Sequence, residues 1–300
     1  ENSDQNAESF WLRGKELNSN SASLNRESGP LDIAIVGVAG QYPQADDLNQ
    51  YWDNLANGKD CVTEIPKDRW DCSKYYDPDK RKQGKTYAKW GGFINNPDCF
   101  DPMFFNISPA EAEIMDPQER LFLECVYHAI EDAGYTKNNL STEGIAGLSN
   151  NVGVFVGVMY EEYQLYGAQA QVKGHNISLN GNAASIANRI SYICGFHGPS
   201  VALDTMCSSS LVSVHLACNS IVNGECDAAI AGGVNLSIHP NKYLTLSRGK
   251  FASSVGKCQT FGKDGDGYTP GEGVGAIVLK SRQKAIEDGD HIYGIIRGSS

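Results

Sequence analysis

The feature that most constrains the fold is a set of short, predominantly apolar runs without polar alternation. They lie at residues 32–37, 152–157, 200–204, 228–231 and 274–279. A strand with one wet face alternates apolar and polar residues; a strand without alternation needs cover on both faces. The intervening segments have helical spacing. Leu48, Tyr51, Trp52 and Leu55 recur at steps of three and four before Asn57-Gly58 stops them. Asp116-Pro117-Gln118-Glu119 reads as a helix start, with Asp116 as N-cap, Pro117 at the first position and Glu119 completing a capping box. Phe122, Val126, Ala129, Ile130 and Ala133 then form an apolar face that ends at Gly134. Residues 182–193 and 208–222 give two further helices, closed by Gly195 and by Asn223-Gly224. Buried strands alternating with helices predict an α/β fold with a mostly parallel sheet covered on both sides. Residues 66–108 show no period and predict a long surface-packed excursion.

The first 30 residues are rich in Asn, Ser, Glu and Gln and read as a linker or arm, with the folded domain occupying 31–300. The chain opens at Glu1-Asn2-Ser3 and stops at Arg297-Gly298-Ser299-Ser300, just past an apolar run; both ends read as cuts in a longer polypeptide. A formal net charge of −11 argues against nucleic acid, whose binders carry a basic stripe. No apolar stretch reaches the ~18 residues a membrane span needs, and no signal-peptide pattern opens the chain. Nine cysteines, an odd number without a CxxC pair or a zinc-ligand spacing, point to free thiols in a reducing, cytoplasmic compartment and to no metal.

Residues 201–218, VALDTMCSSSLVSVHLAC, place Cys207 where a strand meets a helix. Leu211, Val214, Cys218, Ile221 and Val222 supply that helix with a face expected to be buried, and the serines at its start are expected to cap free amides. The unpaired N–H groups and positive dipole end of a helix favour a thiolate, and thiols so placed fall from about 8.5 to roughly 3.5–7.5 in pKa. The same amides can hold the oxyanion of a tetrahedral intermediate, and sulfur nucleophiles suit thioester exchange. The alternative is a small structural cysteine, the commoner fate of this residue type. His215, eight residues further along the same helix, lies ~12 Å away along the axis and is out of reach of the thiol. None of His128, His175, His197, His239 or His291 is placed beside Cys207 by sequence.

Several stretches, in order, resemble the β-ketoacyl synthases of polyketide assembly lines. Asp204-Thr205-Met206-Cys207-Ser208-Ser209-Ser210-Leu211 resembles their active-site DTACSSSL, and residues 32–37 resemble their opening strand. Phe100-Asp101-Pro102-Met103-Phe104-Phe105 with Ile107-Ser108-Pro109 resembles FDPxFFxISP, and Met115-Asp116-Pro117-Gln118-Glu119-Arg120 resembles MDPQQR. Cys258-Gln259-Thr260-Phe261, Asp266-Gly267-Tyr268 and Gly271-Glu272-Gly273 resemble CRTFDxxADGYxxGEG. The resemblance implies a thiolase-like fold of α-β-α-β-α layers, of which this chain would hold the first half and the start of the second. It implies that Cys207 takes an acyl chain as a thioester, with its own amide in the oxyanion hole, and that a decarboxylated extender then attacks it. It implies acyl carrier proteins bearing phosphopantetheine as partners, no other cofactor, a homodimer and neighbouring domains of the same polypeptide. The family's two assisting histidines lie in HGTGT and in a later GH motif, which none of the six histidines here matches. A relative that only transfers the chain and an idle docking scaffold for carrier proteins are the alternatives. Met206 stands where Ala is common, and either reshapes the acyl pocket or fills a gap. The wording of residues 40–105 is most similar to lines served by free-standing acyltransferases, as in antibiotic biosynthesis.

Lys263-Asp264-Gly265-Asp266-Gly267 hints at a calcium loop, but Tyr268 and Gly275 stand where oxygen ligands belong. Gly271-Glu272-Gly273-Val274-Gly275 precedes a strand and lacks the third glycine of a dinucleotide loop. Asp264, Asp266 and Glu272 read as solvated turn charges.

Overall fold

The computed structural model describes residues 31–141 and 149–299. The proposed arm at 1–30 lies outside the described residues. Eight strands occur among them: β1 (Ile33–Gln41), β2 (Val62–Glu64), β3 (Trp90–Gly92), β4 (Val152–Gly157), β5 (Ser200–Leu203), β6 (Ala228–Asn235), β7 (Gly273–Ser281) and β8 (Gly294–Ile296). The helices are α1 (Leu48–Ala56), α2 (Pro109–Ile114), α3 (Pro117–Asp132), α4 (Tyr163–Val172), α5 (Ala183–Cys194), α6 (Ser209–Asn223), α7 (Asn241–Arg248) and α8 (Arg282–Asp288).

Six strands form one sheet in the order β5-β4-β6-β7-β1-β8. β4 pairs in parallel with β5 and β6, aligning Val154 with Ser200 and Ile230. β7 runs antiparallel between β6 and β1, and β8 antiparallel on the outer edge of β1. β1, β4, β5 and β6 therefore share one direction and β7 and β8 oppose it: four of the six strands run the same way, with antiparallel pairings at β7 and β8. Every residue of β4 is buried, as its unbroken apolar run requires.

Two helical layers provide the cover. On one face α3 and α5 bring Phe122, Val126, Ala129, Ile186 and Ile190 against Val36, Val154, Ile230 and Val278. On the other, α6 brings Ala217, Cys218 and Ile221 against Phe155, Ala229, Ala231 and Leu279. Asp116 caps α3 as expected, accepting from Gln118 N at 2.8 Å. Gly195 and Gly224 end α5 and α6 at φ of 65° and 73°, a left-handed conformation that a Cβ disfavours.

One expectation about burial fails in part. Leu211 is 75% and Val222 43% exposed, so only part of the apolar face of α6 meets this sheet. α1 has no buried residue, although its Leu48, Tyr51, Trp52 and Leu55 keep helical spacing. The excursion at 66–108 does pack, but around a small core of its own. Trp70, Tyr87, Ala88 and Phe93 meet Tyr243 and Leu246 of α7 beside the β2–β3 pair.

Candidate active site

β5 ends at Leu203, whose carbonyl accepts from Val158 N at 3.0 Å. The chain then reverses through a tight elbow. The Oδ1 of Asp204 accepts from Met206 N at 2.7 Å, and Met206 sits at φ 59°. A non-glycine residue there is strained and must be held by its surroundings. Ser209 supplies much of the hold: its Oγ accepts from Thr205 N at 2.9 Å and donates to Met206 O at 2.6 Å. Ser208 Oγ donates to Thr205 O at 2.9 Å. The serines thus wire the elbow together instead of capping α6, whose N-cap residue Ser208 makes no side-chain capping bond. Cys207 lies in the short 3-10 turn Met206–Ser208 that leads into α6 and is exposed. Amides of a first helical turn have no intrahelical acceptor.

Glycines let the elbow dock on the strand ends. A Cβ at Gly157, the last residue of β4, would meet the Ser209 carbonyl carbon at 2.5 Å and Ser210 N at 2.6 Å. A Cβ at Gly233 of β6 would stand 3.0 Å from that of Ser210. Ser213 Oγ adds a bond of 2.9 Å to Gly232 O.

Cys207 and Met206 open onto a cavity of about 820 Å³, walled chiefly by Val38, Ala39, Leu48, Leu211, Val214 and Ile277. Tyr160 and Tyr268 stand on its wall. Burial, with smaller contributions from Tyr160, Cys207 and Cys258, pushes the Tyr268 hydroxyl up to about 12. Burial, followed by Glu162 and then Cys207, also raises Tyr160. Lys242 is the one basic residue among the described residues of that lining, and Glu272 the one acidic residue.

Glu272 is not a solvated turn charge. It is buried, pairs with Arg69 at 2.9 and 3.1 Å, and accepts from Ile94 N and Ser237 N. An unpaired carboxylate could not be kept there, and Arg69 with two backbone donors replaces the lost water. Asp266 is half-buried and held down to about 2, first by Lys80 and then by Ser254. Glu119 completes no capping box: its carboxylate accepts from Arg189 Nε at 2.9 Å and from Asn180 and Ser185 at 3.1 Å. Gln118, 1% exposed, bridges two segments next to the site, donating to Tyr160 O at 2.6 Å and accepting from Leu236 N at 3.0 Å. Sequence reasoning missed the roles of Lys242, Gln118 and Arg69. The only signal was a polar residue inside an otherwise packed motif.

None of the six histidines lines the cavity. His215 Nδ1 and Nε2 face Ser299 and Asn219 at 2.6 and 2.9 Å, and His239 is buried against Tyr166 and Gln169. All nine cysteines are free. Burial pushes Cys125 up to about 12 and Cys194 and Cys218 up to about 11, whereas Cys99, Cys207 and Cys258 are exposed. Among the described residues no helix is long and apolar enough to cross a membrane.

The Cys207 thiol thus stands at a strand-to-helix elbow above a largely apolar cavity. Residues 31–285 match the family model described as "Beta-ketoacyl synthase, N-terminal domain". The chain belongs to the β-ketoacyl synthase family. It is 64% identical over 275 residues to the polyketide synthase PksL of Bacillus subtilis, covering 92% of this chain and 6% of that protein. It is 58% identical over 264 residues to the polyketide synthase ThaG of Burkholderia thailandensis, covering 88% and 5%. Among solved structures, an oxazolomycin ketosynthase domain from Streptomyces albus aligns with a TM-score of 0.83 at 53% identity, covering 88% of this chain and 44% of that one. The ketosynthase from module 6 of the bacillaene synthase of Bacillus subtilis aligns with a TM-score of 0.77 at 42% identity, covering 88% and 42%. The fold is accordingly the thiolase-like fold of ketosynthases, and the chain spans under half the length of those solved domains. The chain therefore corresponds to the N-terminal part of the ketosynthase domains of polyketide synthases.

Proposed function

We propose that this domain extends a polyketide chain by decarboxylative condensation, with Cys207 as the acyl acceptor. In the first half-reaction the Cys207 sulfur attacks the thioester carbonyl of an acyl group carried on phosphopantetheine. A carbon–sulfur bond to Cys207 forms, the bond to the carrier breaks, and the carrier thiol leaves with the proton that Cys207 gave up. In the second, a malonyl-type extender on another carrier loses carbon dioxide. Its α-carbon attacks the acyl-Cys207 carbonyl, the new carbon–carbon bond forms and Cys207 leaves as thiolate. The amide of Cys207 donates to the oxyanion in both steps.

The observation that carries this reading is the exposed Cys207 at the head of α6, opening on an apolar cavity in a β-ketoacyl synthase chain. The resemblance assigns the assisting histidines to HGTGT and GH motifs that none of the six here matches. It also supports a homodimer, carrier-protein partners, neighbouring domains in the same polypeptide and a line served by free-standing acyltransferases. Nine free thiols support a cytoplasmic setting. Met206, beside the thiol on the cavity wall, then sets the shape of the acyl pocket.

The test supplies the full-length protein with an acyl-loaded carrier and a malonyl-loaded carrier and follows both carriers by mass. A β-keto product with release of carbon dioxide, abolished by Cys207→Ala, supports the reading. Acyl-Cys207 without any β-keto product would replace condensation by chain transfer. No acylation at all would leave only a docking scaffold.

A further inference from the structure

The cavity that holds Cys207 also holds a buried cation. Lys242, at the start of α7, is 2% exposed. Its Nζ donates to Asn235 Oδ1 at 2.7 Å and to Leu236 O at 2.9 Å, both at the end of β6. It also stands over the Tyr160 ring, 4.8 Å from the centroid. Asn235 passes the connection on, its Nδ2 donating to Gly271 O at 2.5 Å. One ammonium therefore joins three walls of the cavity: the segment after β4, the end of β6 and the approach to β7.

Burying a lysine costs several kcal/mol unless the site uses or neutralises the charge. No carboxylate of the described residues lies within ion-pair distance of Lys242. The carboxylates that face it are Glu162 and Glu272. Glu272 is committed to Arg69, and Glu162 bonds to Asn241 through Oε1 and is favoured as a carboxylate by Lys242. Tyr160 is the remaining titratable neighbour, and burial raises it, keeping it neutral near pH 7. Burial pushes Lys242 itself down to about 8, with Glu272 and Glu162 opposing, so the ammonium is the major form near neutrality.

We infer that Lys242 is a positioning residue of the Cys207 site, which fixes the Tyr160 and Asn235 walls and presents its ammonium, only partly offset by Glu162 and Glu272, to the cavity. A cation facing a low-dielectric cavity favours any anion formed in it, here the thiolate that begins acyl transfer and the oxyanion that follows. The cation acts through the field and through Tyr160, without touching the acyl group. The inference rests on the reading of Cys207 as the acyl acceptor.

A neutral side chain that keeps the hydrogen bonds separates charge from stapling. Iodoacetamide alkylation of the full-length protein near neutral pH is followed by peptide mass, with exposed Cys99 as internal reference. Lys242→Gln is expected to slow Cys207 relative to Cys99 by about tenfold and Lys242→Arg to restore it, as loss and return of a nearby cation dictate. Equal Cys207 rates in the unsubstituted protein and a folded Lys242→Gln variant would overturn the inference. If that variant does not fold, the unsubstituted protein decides: Cys207 reacting no faster than Cys99 overturns it, and faster reaction supports it. Alkylation needs no carrier protein. Failed acylation with an intact alkylation contrast would therefore sink the acyl-acceptor reading and leave the effect of Lys242 standing.

Discussion

Cys207 owes its exposure to a backbone that its neighbours force. Met206 is held at φ 59° by Asp204 and Ser209, which turns the next side chain outward above the strand ends. The contact beneath is tight enough to test. Gly157→Ala puts a Cβ 2.5 Å from the backbone of Ser209, so the elbow must shift. A loss of about 1–3 kcal/mol in urea unfolding is expected, the usual cost of overpacking, together with slower acylation of Cys207. An unchanged midpoint would mean that the elbow is not braced on β4. The buried thiols give the complementary prediction. Cys125, Cys194, Cys218 and Cys226, all raised by burial, are expected to resist alkylation until denaturant is added, whereas Cys207 is modified in the native protein. The elbow was legible in the sequence because apolar run, thiol and serines are contiguous. The use of the serines was not, because a hydroxyl can donate to a turn carbonyl as well as accept from a helix amide.

Elements near the site are tied by pairs distant in sequence. Arg69 and Glu272, with side chains 4% and 0% exposed, link the excursion to the approach of β7. Arg69→Met leaves a buried carboxylate alone and is expected to cost about 3–5 kcal/mol. Breaking the solvent-exposed pair Arg282–Asp32 is expected to cost under about 1 kcal/mol. Chemical denaturation of the two variants reads the difference directly. Asp266 gives the loop before β7 a pH response. Its folded-state value of about 2 lies below the ordinary 3.8, so its contribution is present above pH ~4 and is lost as the pH falls towards 2. Thermal melting of Asp266→Asn is expected to lag the parent at neutral pH and to converge with it near the acid limit. β4, β5 and β7 and the α3, α5 and α6 helices were readable within about two residues, since periodicity is local, whereas β1 and β6 run four residues past their expected ends, to Gln41 and Asn235. The insertion of antiparallel β7 between β1 and β6, and the Arg69–Glu272 pair, were not. Both depend on residues that meet only after the chain has folded.

At the scale of the whole molecule, the described residues supply three layers, with one sheet between α3 with α5 and α6. Leu211, Leu216 and Val222 point away from that sheet and are exposed. The five-layer arrangement that the resemblance implies would place a second sheet over this face. In the full-length protein Leu211→Asp is therefore expected to lower stability by roughly 1.5–3 kcal/mol or more, the value of a buried leucine side chain. In the 300-residue chain the same change should move it by less than about 0.5 kcal/mol. Equal small effects in both would mean that nothing covers α6. The most direct measurement of the account is the mass of the full-length protein after incubation with an acyl group on its carrier. The predicted result is one acyl adduct, mapped to the peptide containing Cys207, displaced by hydroxylamine and absent from Cys207→Ala. No adduct, or an adduct on Cys99 or Cys258 that survives Cys207→Ala, would contradict it.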